Sequence, residues 1–86
     1  MAAQDKVDVF LKTIAGQIET LEQGVFDLSD ETGFYTLATD WQEALSMVEV
    51  LEQNRNTLTQ EQAKRLGELL NRLKEVMPIA KKLNLV

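Results

Sequence analysis

The sequence predicts an all-α protein, an antiparallel up-down-up bundle of three helices, with dimerisation left open. Three observations indicate this fold class. The chain has one proline and four glycines, so few residues interrupt helices. Apolar residues recur at alternating steps of three and four, the spacing of one helical face. No segment has the apolar alternation that is typical of a strand. The whole chain, residues 1–86, is expected to form a single domain.

The first helix is expected over about residues 4–25. Its apolar positions step by 4, 3, 4, 3 and 4, the seam spacing of helices that pack nearly parallel. Phe10 widens this stripe, and Gly24 suits the end of the helix. The seam residues are Val7, Leu11, Ile14, Ile18, Leu21 and Val25.

The second helix is expected over about residues 35–54. The preceding segment, residues 26–33, is rich in residues that cap helices or form turns and is therefore predicted to be a connection. Thr39 or Asp40 is an alternative start for the helix. The seam residues are Phe34, Leu37, Trp41, Ala44, Val48 and Leu51.

The third helix is expected over about residues 60–77. Thr59 and Gln62 fit a capping box, in which each side chain accepts a hydrogen bond from the other residue's backbone amide. Pro78 should end or kink the helix, because it lacks an amide proton and clashes with the preceding turn. Residues 79–86 then form a short tail. The seam residues are Ala63, Leu66, Leu70, Leu73 and Met77, widened by Leu69 and Val76.

Similar helix lengths and short connections favour the up-down-up order. One structural alternative stays open. The first two helices could form a hairpin whose third element becomes ordered only in a dimer.

The chain contains no histidine and no cysteine. Nucleophilic sites of the Ser-His-Asp and Cys-His kinds therefore cannot form, and a thiolate metal site is excluded. No glycine-rich phosphate loop is present. We therefore expect a protein that is not an enzyme and that holds no cofactor or metal. A carboxylate-based metal-binding or enzymatic bundle is the alternative.

Charge is distributed unevenly along the chain. Residues 1–54 contain 11 acidic and 2 basic residues, and residues 55–86 contain 3 acidic and 7 basic residues, for a net charge of −5. The acidic total disfavours nucleic acid as a partner. The basic third helix could pack against the two acidic helices, or could face an acidic partner or a second copy. Within it, Glu68 and Arg72 are spaced to form an i,i+4 pair.

These features predict a small protein–protein interaction module, such as an adaptor, a chaperone-like protein or a regulatory subunit, with another protein or a second copy as partner. No secretory signal or membrane span is evident, so a cytoplasmic location is expected. The aromatic residues near the second helix could form a docking patch or close the end of the bundle. The candidate partner-binding residues are Phe26, Tyr35, Met47, Val50, Arg65 and Arg72.

Overall fold

The computed structural model describes the backbone of residues 3–24 and 31–85, and the side chains of residues 6–24 and 31–85. Over these ranges the chain forms three α-helices, α1 (Ala3–Gln23), α2 (Glu31–Gln53) and α3 (Gln60–Lys82), with a 3₁₀ turn at Arg55–Thr57. No strand occurs in this part of the chain. The predicted all-α bundle of three helices is confirmed.

The first helix, α1, is the central element of the bundle. It packs against both α2 and α3, which contact each other less closely. Its seam is confirmed, because four of the predicted positions are buried: Leu11, Ile14, Ile18 and Leu21. Gly24 ends the helix with a φ of 67°, and its amide donates to the Thr20 carbonyl at 3.1 Å. The last predicted seam residue, Val25, lies outside the described residues.

The second helix begins at Glu31, one turn before the predicted start near residue 35. Residues 31–33, expected in the connection, are therefore helical. The Glu31 carboxylate lies in the first turn, where the positive end of the helix dipole favours a negative charge. Leu37 and Trp41 are buried a little further along, so packing of α2 on the core also holds its first half.

The indole of Trp41 is fully buried, with 0% of the residue exposed. It belongs to one apolar cluster to which all three helices contribute, so each helix depends on the others for burial. This cluster includes Leu11, Ile14, Ile18, Leu21, Leu37, Trp41, Leu51, Leu66, Leu69, Val76, Ala80 and Leu85.

The capping box predicted at the start of α3 is confirmed. Thr59 Oγ1 accepts from the Gln62 amide at 3.1 Å, and Gln62 Oε1 accepts from the Thr59 amide at 3.0 Å. Gln62 Nε2 also donates to the Asp8 carboxylate at 3.2 Å. The residue that caps α3 therefore also ties that helix to α1.

The buried side of α3 differs from the predicted seam. Buried apolar residues are Leu66, Leu69, Val76 and Ala80, whereas Ala63, Leu70, Leu73 and Met77 are only half-buried. The reason is the central position of α1. Gln62 and Arg72 contact Asp8 and Glu22 of α1, so the side of α3 that carries them faces the core. Leu69 and Val76 are buried on that side, whereas Leu70, Leu73 and Met77 pack against the core but stay partly exposed.

The prediction that the third helix ends or kinks near residue 77 is wrong about the end, because α3 continues through Pro78 to Lys82. Pro78 has no amide proton, so the Lys74 carbonyl lacks the hydrogen bond that it would otherwise accept within the helix. Lys74 is exposed, so water can satisfy that carbonyl. Val76 and Ala80, on either side of Pro78, are buried, and their packing favours continuation of the helix.

The predicted tail at residues 79–86 begins with the last turn of α3, and a structured cap follows as far as Leu85, while Val86 lies outside the described residues. Asn84 adopts a left-handed φ of 61°. The Leu85 amide donates to the Ala80 carbonyl at 2.9 Å, and the Asn84 amide donates to the Lys81 carbonyl at 3.1 Å. These two bonds define a Schellman motif. Leu85 is buried, so the cap is also anchored in the core.

Two side-chain contacts between α1 and α3 follow the same order along both helices. Asp8 contacts Gln62, and Glu22 contacts Arg72. The two helices therefore run in the same direction where they touch, as an up-down-up bundle requires. The complete order of directions, and dimerisation, stay predictions.

Candidate functional site

A shallow groove of about 480 Å³ lies between α1 and the second half of α2. We call it the α1–α2 groove. It is lined by three apolar residues, Phe10, Met47 and Val50, and by four polar ones, Thr39, Gln42, Glu43 and Ser46. Phe10 and Met47 also pack against the core, whereas Val50 is 45% exposed.

The α2 side of the groove is a mixed polar and apolar side of that helix, beside its core face. Glu43, Ser46, Met47 and Val50 follow the i, i+3, i+4, i+7 spacing of a single helical side. The core face is already supplied by other residues of α2, namely Leu37, Trp41, Ala44 and Leu51. Val50 therefore stays exposed at the surface, beside Met47, which packs against the margin of the core.

Tyr35 lies one turn before Thr39 on the same side of α2 and is 66% exposed. Its ring meets that of Phe34 edge to face, with centroids 6.1 Å apart and an interplanar angle of 69°. The sequence left two roles open for Phe26 and Tyr35, a docking patch or closure of the bundle end, and the exposure of Tyr35 favours the docking patch. Phe26, the other member of the pair, lies outside the described residues.

Arg72 makes a double hydrogen bond to Glu22 across α1 and α3. Its Nε donates to Glu22 Oε2 at 3.1 Å, and its Nη2 donates to Glu22 Oε1 at 2.6 Å. This contact replaces the pair with Glu68 that the sequence suggested. The hydrogen bonds that Arg72 donates to Glu22 lower the pKa of the Glu22 carboxyl and raise the pKa of the Arg72 guanidinium. The basic helix therefore neutralises part of the acidic first helix within the chain.

The Glu22–Arg72 pair makes a pH-dependent contribution to stability. Because the pKa of Glu22 is lowered on folding, the contribution is complete above the ordinary glutamate pKa. It is lost as the pH falls through the lowered pKa of the folded state. Glu22→Gln should therefore be less stable than the parent near neutral pH and equally stable in acid. The difference near neutral pH should be small, because both side chains of the pair are exposed to solvent. Urea unfolding across a pH series measures this difference.

The matched control is Glu68→Gln, which removes the partner that the sequence alone would assign to Arg72. We expect it to leave the pH dependence of the parent unchanged. If Glu68→Gln removed the pH-dependent difference and Glu22→Gln did not, the pairing across α1 and α3 would be refuted.

Arg65 lines a separate cavity of about 660 Å³ between α1 and the start of α3. Its other lining residues are Asp8, Leu11, Lys12, Thr59, Glu61 and Gln62. Several of these are engaged within the chain, because Thr59 and Gln62 form the capping box and Gln62 binds Asp8. Acidic and basic groups alternate around the cavity, so it presents no single charge to a ligand.

The predicted partner-binding residues are therefore split between two parts of the fold. Tyr35, Met47 and Val50 lie on α2, while Arg65 and Arg72 lie on α3. The structure brings Met47 and Val50 together with Phe10 of α1, and leaves Tyr35 and the two arginines outside this groove.

The described residues contain no group of three or more acidic side chains placed to hold a metal ion. In the same part of the chain, two buried polar atoms lack a hydrogen-bond partner, Gln17 Oε1 and Trp41 Nε1.

Comparison with protein-family models, with curated proteins and with solved structures gives no significant match to this chain. Within the described residues, no helix combines the length and the apolar character needed to cross a membrane.

Proposed function

We propose that this chain is a small non-enzymatic protein-interaction module that docks a partner protein on the α1–α2 groove. The observation that carries this proposal is the position of Val50. It lies exposed beside half-buried Met47 and Phe10, in one groove, on a helix whose core face is already complete.

The groove has the make-up of a small protein interface. Apolar residues lie together, and hydroxyl, amide and carboxylate groups adjoin them. A partner side chain that covers Val50 and Met47 would remove their apolar surface from water, while the polar residues could bond its backbone or flanking side chains. Such a module suits an adaptor, chaperone-like or regulatory role. We further propose a cytoplasmic location, where a chain without cysteine needs no disulfide.

Site-specific photocrosslinking tests this function. A photoreactive phenylalanine at exposed Ser46, in the groove, is compared with one at exposed Asn71, on α3. In an extract of the source cells, we expect a discrete crosslinked product from position 46 and none from position 71. The product should disappear when Val50→Gln is added. Equal products from both positions, or none from position 46, would count against the proposal.

A further inference from the structure

We infer that the partner presented to the α1–α2 groove is a basic amphipathic helix of another protein, rather than a second copy of this chain. This inference rests on the proposed function and adds the chemistry of the partner. It is carried by the charge of α2, by the dimensions of the groove and by the outward face of α3.

The charge of α2 has one sign. The helix carries five carboxylates and no lysine or arginine between Glu31 and Gln53. Glu43 lines the groove itself, and Asp40 and Glu49 lie in the stretch of α2 that forms it. On α1, the exposed Lys6 is one turn from Phe10 and offsets only part of this charge. A partner with lysine or arginine beside its apolar residues is therefore electrostatically matched to the groove.

A second copy of this chain is a poor match for the groove, whether it presents its own groove or its helix α3. A symmetric dimer through the groove would place two acidic α2 helices face to face, and like charges would oppose it. The basic helix α3 does not supply the missing partner face. Its exposed charged positions carry both signs, with Glu61, Glu68 and Glu75 among Lys64, Arg65, Lys74, Lys81 and Lys82. Ile79, 37% exposed, is the large apolar residue that α3 leaves at the surface among those described.

The groove has the length of a short docked helix. Its α2 side runs from Thr39 to Val50, which is about 17 Å at 1.5 Å per residue, or roughly three helical turns. An amphipathic helix placed there would present apolar residues at i, i+3 or i+4, and i+7 to Phe10, Met47 and Val50. Basic residues beside that stripe would then lie near Glu43.

The test uses the full chain and four synthetic peptides of ~14 residues, about four helical turns. Three have leucine at i, i+3, i+4, i+7 and i+11, with lysine, glutamate or glutamine elsewhere. The fourth has the composition of the leucine–lysine peptide in scrambled order. Binding is measured by calorimetry, and the site is located by NMR shifts of the backbone amides.

We expect the leucine–lysine helix to bind most tightly and to shift the amides around Met47 and Val50. Val50→Gln should weaken the binding of this peptide about tenfold, because apolar contact is lost, whereas Ile79→Gln on α3 should leave its binding unchanged. Glu43→Gln should weaken it ~2- to 5-fold, as expected for one exposed charge pair, and Glu75→Gln should not. Binding should also weaken as the salt concentration rises.

Each contrary result has a distinct meaning. Equal binding of the glutamate or glutamine helix, with the same sensitivity to Val50→Gln, would overturn the inferred basic partner and leave the docking function standing. Equal binding of the scrambled peptide, or weakening by Ile79→Gln as large as by Val50→Gln, would overturn the groove as the site. Self-association that Val50→Gln abolishes would assign the groove to a second copy and overturn the inference. If no peptide binds, the inference fails, while crosslinking at position 46 decides the function independently.

Discussion

Replacing Trp41 with alanine should destabilise the protein by about 3–5 kcal/mol, because the largest fully buried side chain of the core would be removed. A domain of this size has an expected total stability of roughly 4–13 kcal/mol. The loss should therefore be a large fraction of the total stability. Circular dichroism during urea denaturation measures the loss through the helical signal.

Trp41→Phe is the informative companion to this variant. It keeps an aromatic ring in the core but removes the indole nitrogen, which has no hydrogen-bond partner among the described residues. A buried unpaired donor costs about 1–3 kcal/mol, so its removal should offset much of the lost apolar area. We expect the stability of Trp41→Phe to stay within about 1 kcal/mol of the parent. A loss as large as that of Trp41→Ala would show that the indole nitrogen has a partner in solution.

Leu85→Ala should destabilise the protein by about 2–4 kcal/mol, a core-sized effect at the end of the described chain. Leu85 is 1% exposed, and its amide closes the Schellman motif on Ala80. Truncating the side chain would leave a cavity and would release the cap that ends α3. Urea unfolding followed by circular dichroism gives the change in free energy.

Leu83→Ala is the matched control for this variant, since Leu83 lies two residues away and is only half-buried. Leu83→Ala should lower the free energy of unfolding clearly less than Leu85→Ala does. Asn84→Gly should instead stabilise the chain slightly, because glycine adopts the left-handed conformation of residue 84 without strain. Equal small losses for both leucine variants would mean that the end of α3 is frayed in solution.

Local patterns predicted the parts of the fold that depend on one helix at a time. The seam of α1 and the capping box of α3 follow from spacing and from hydrogen bonding between near neighbours. The buried side of α3 was predicted less well, because it depends on where α1 lies. Continuation through Pro78 was missed for a similar reason, since burial of Val76 and Ala80 is a tertiary effect.

Two of the three apolar residues of the α1–α2 groove could be found in the sequence. Met47 and Val50 stood out because they fall outside the seam of α2, and the structure places both in the groove. Phe10 was assigned to the core stripe of the first helix. Its place beside Val50 depends on the register between α1 and α2, which no local pattern specifies. The pairing of Arg72 with Glu22 was missed in the same way, because the partners are 50 residues apart in sequence.

The central claim is that Val50 belongs to a docking surface and contributes little to the core. The stability of Val50→Gln tests this claim most directly, measured as the free energy of unfolding in urea beside that of Ile79→Gln. We predict that both variants stay within about 0.5 kcal/mol of the parent, as is usual for substitutions at exposed positions. A loss of about 2 kcal/mol or more for Val50→Gln alone would show that Val50 is packed in solution, and would contradict the account.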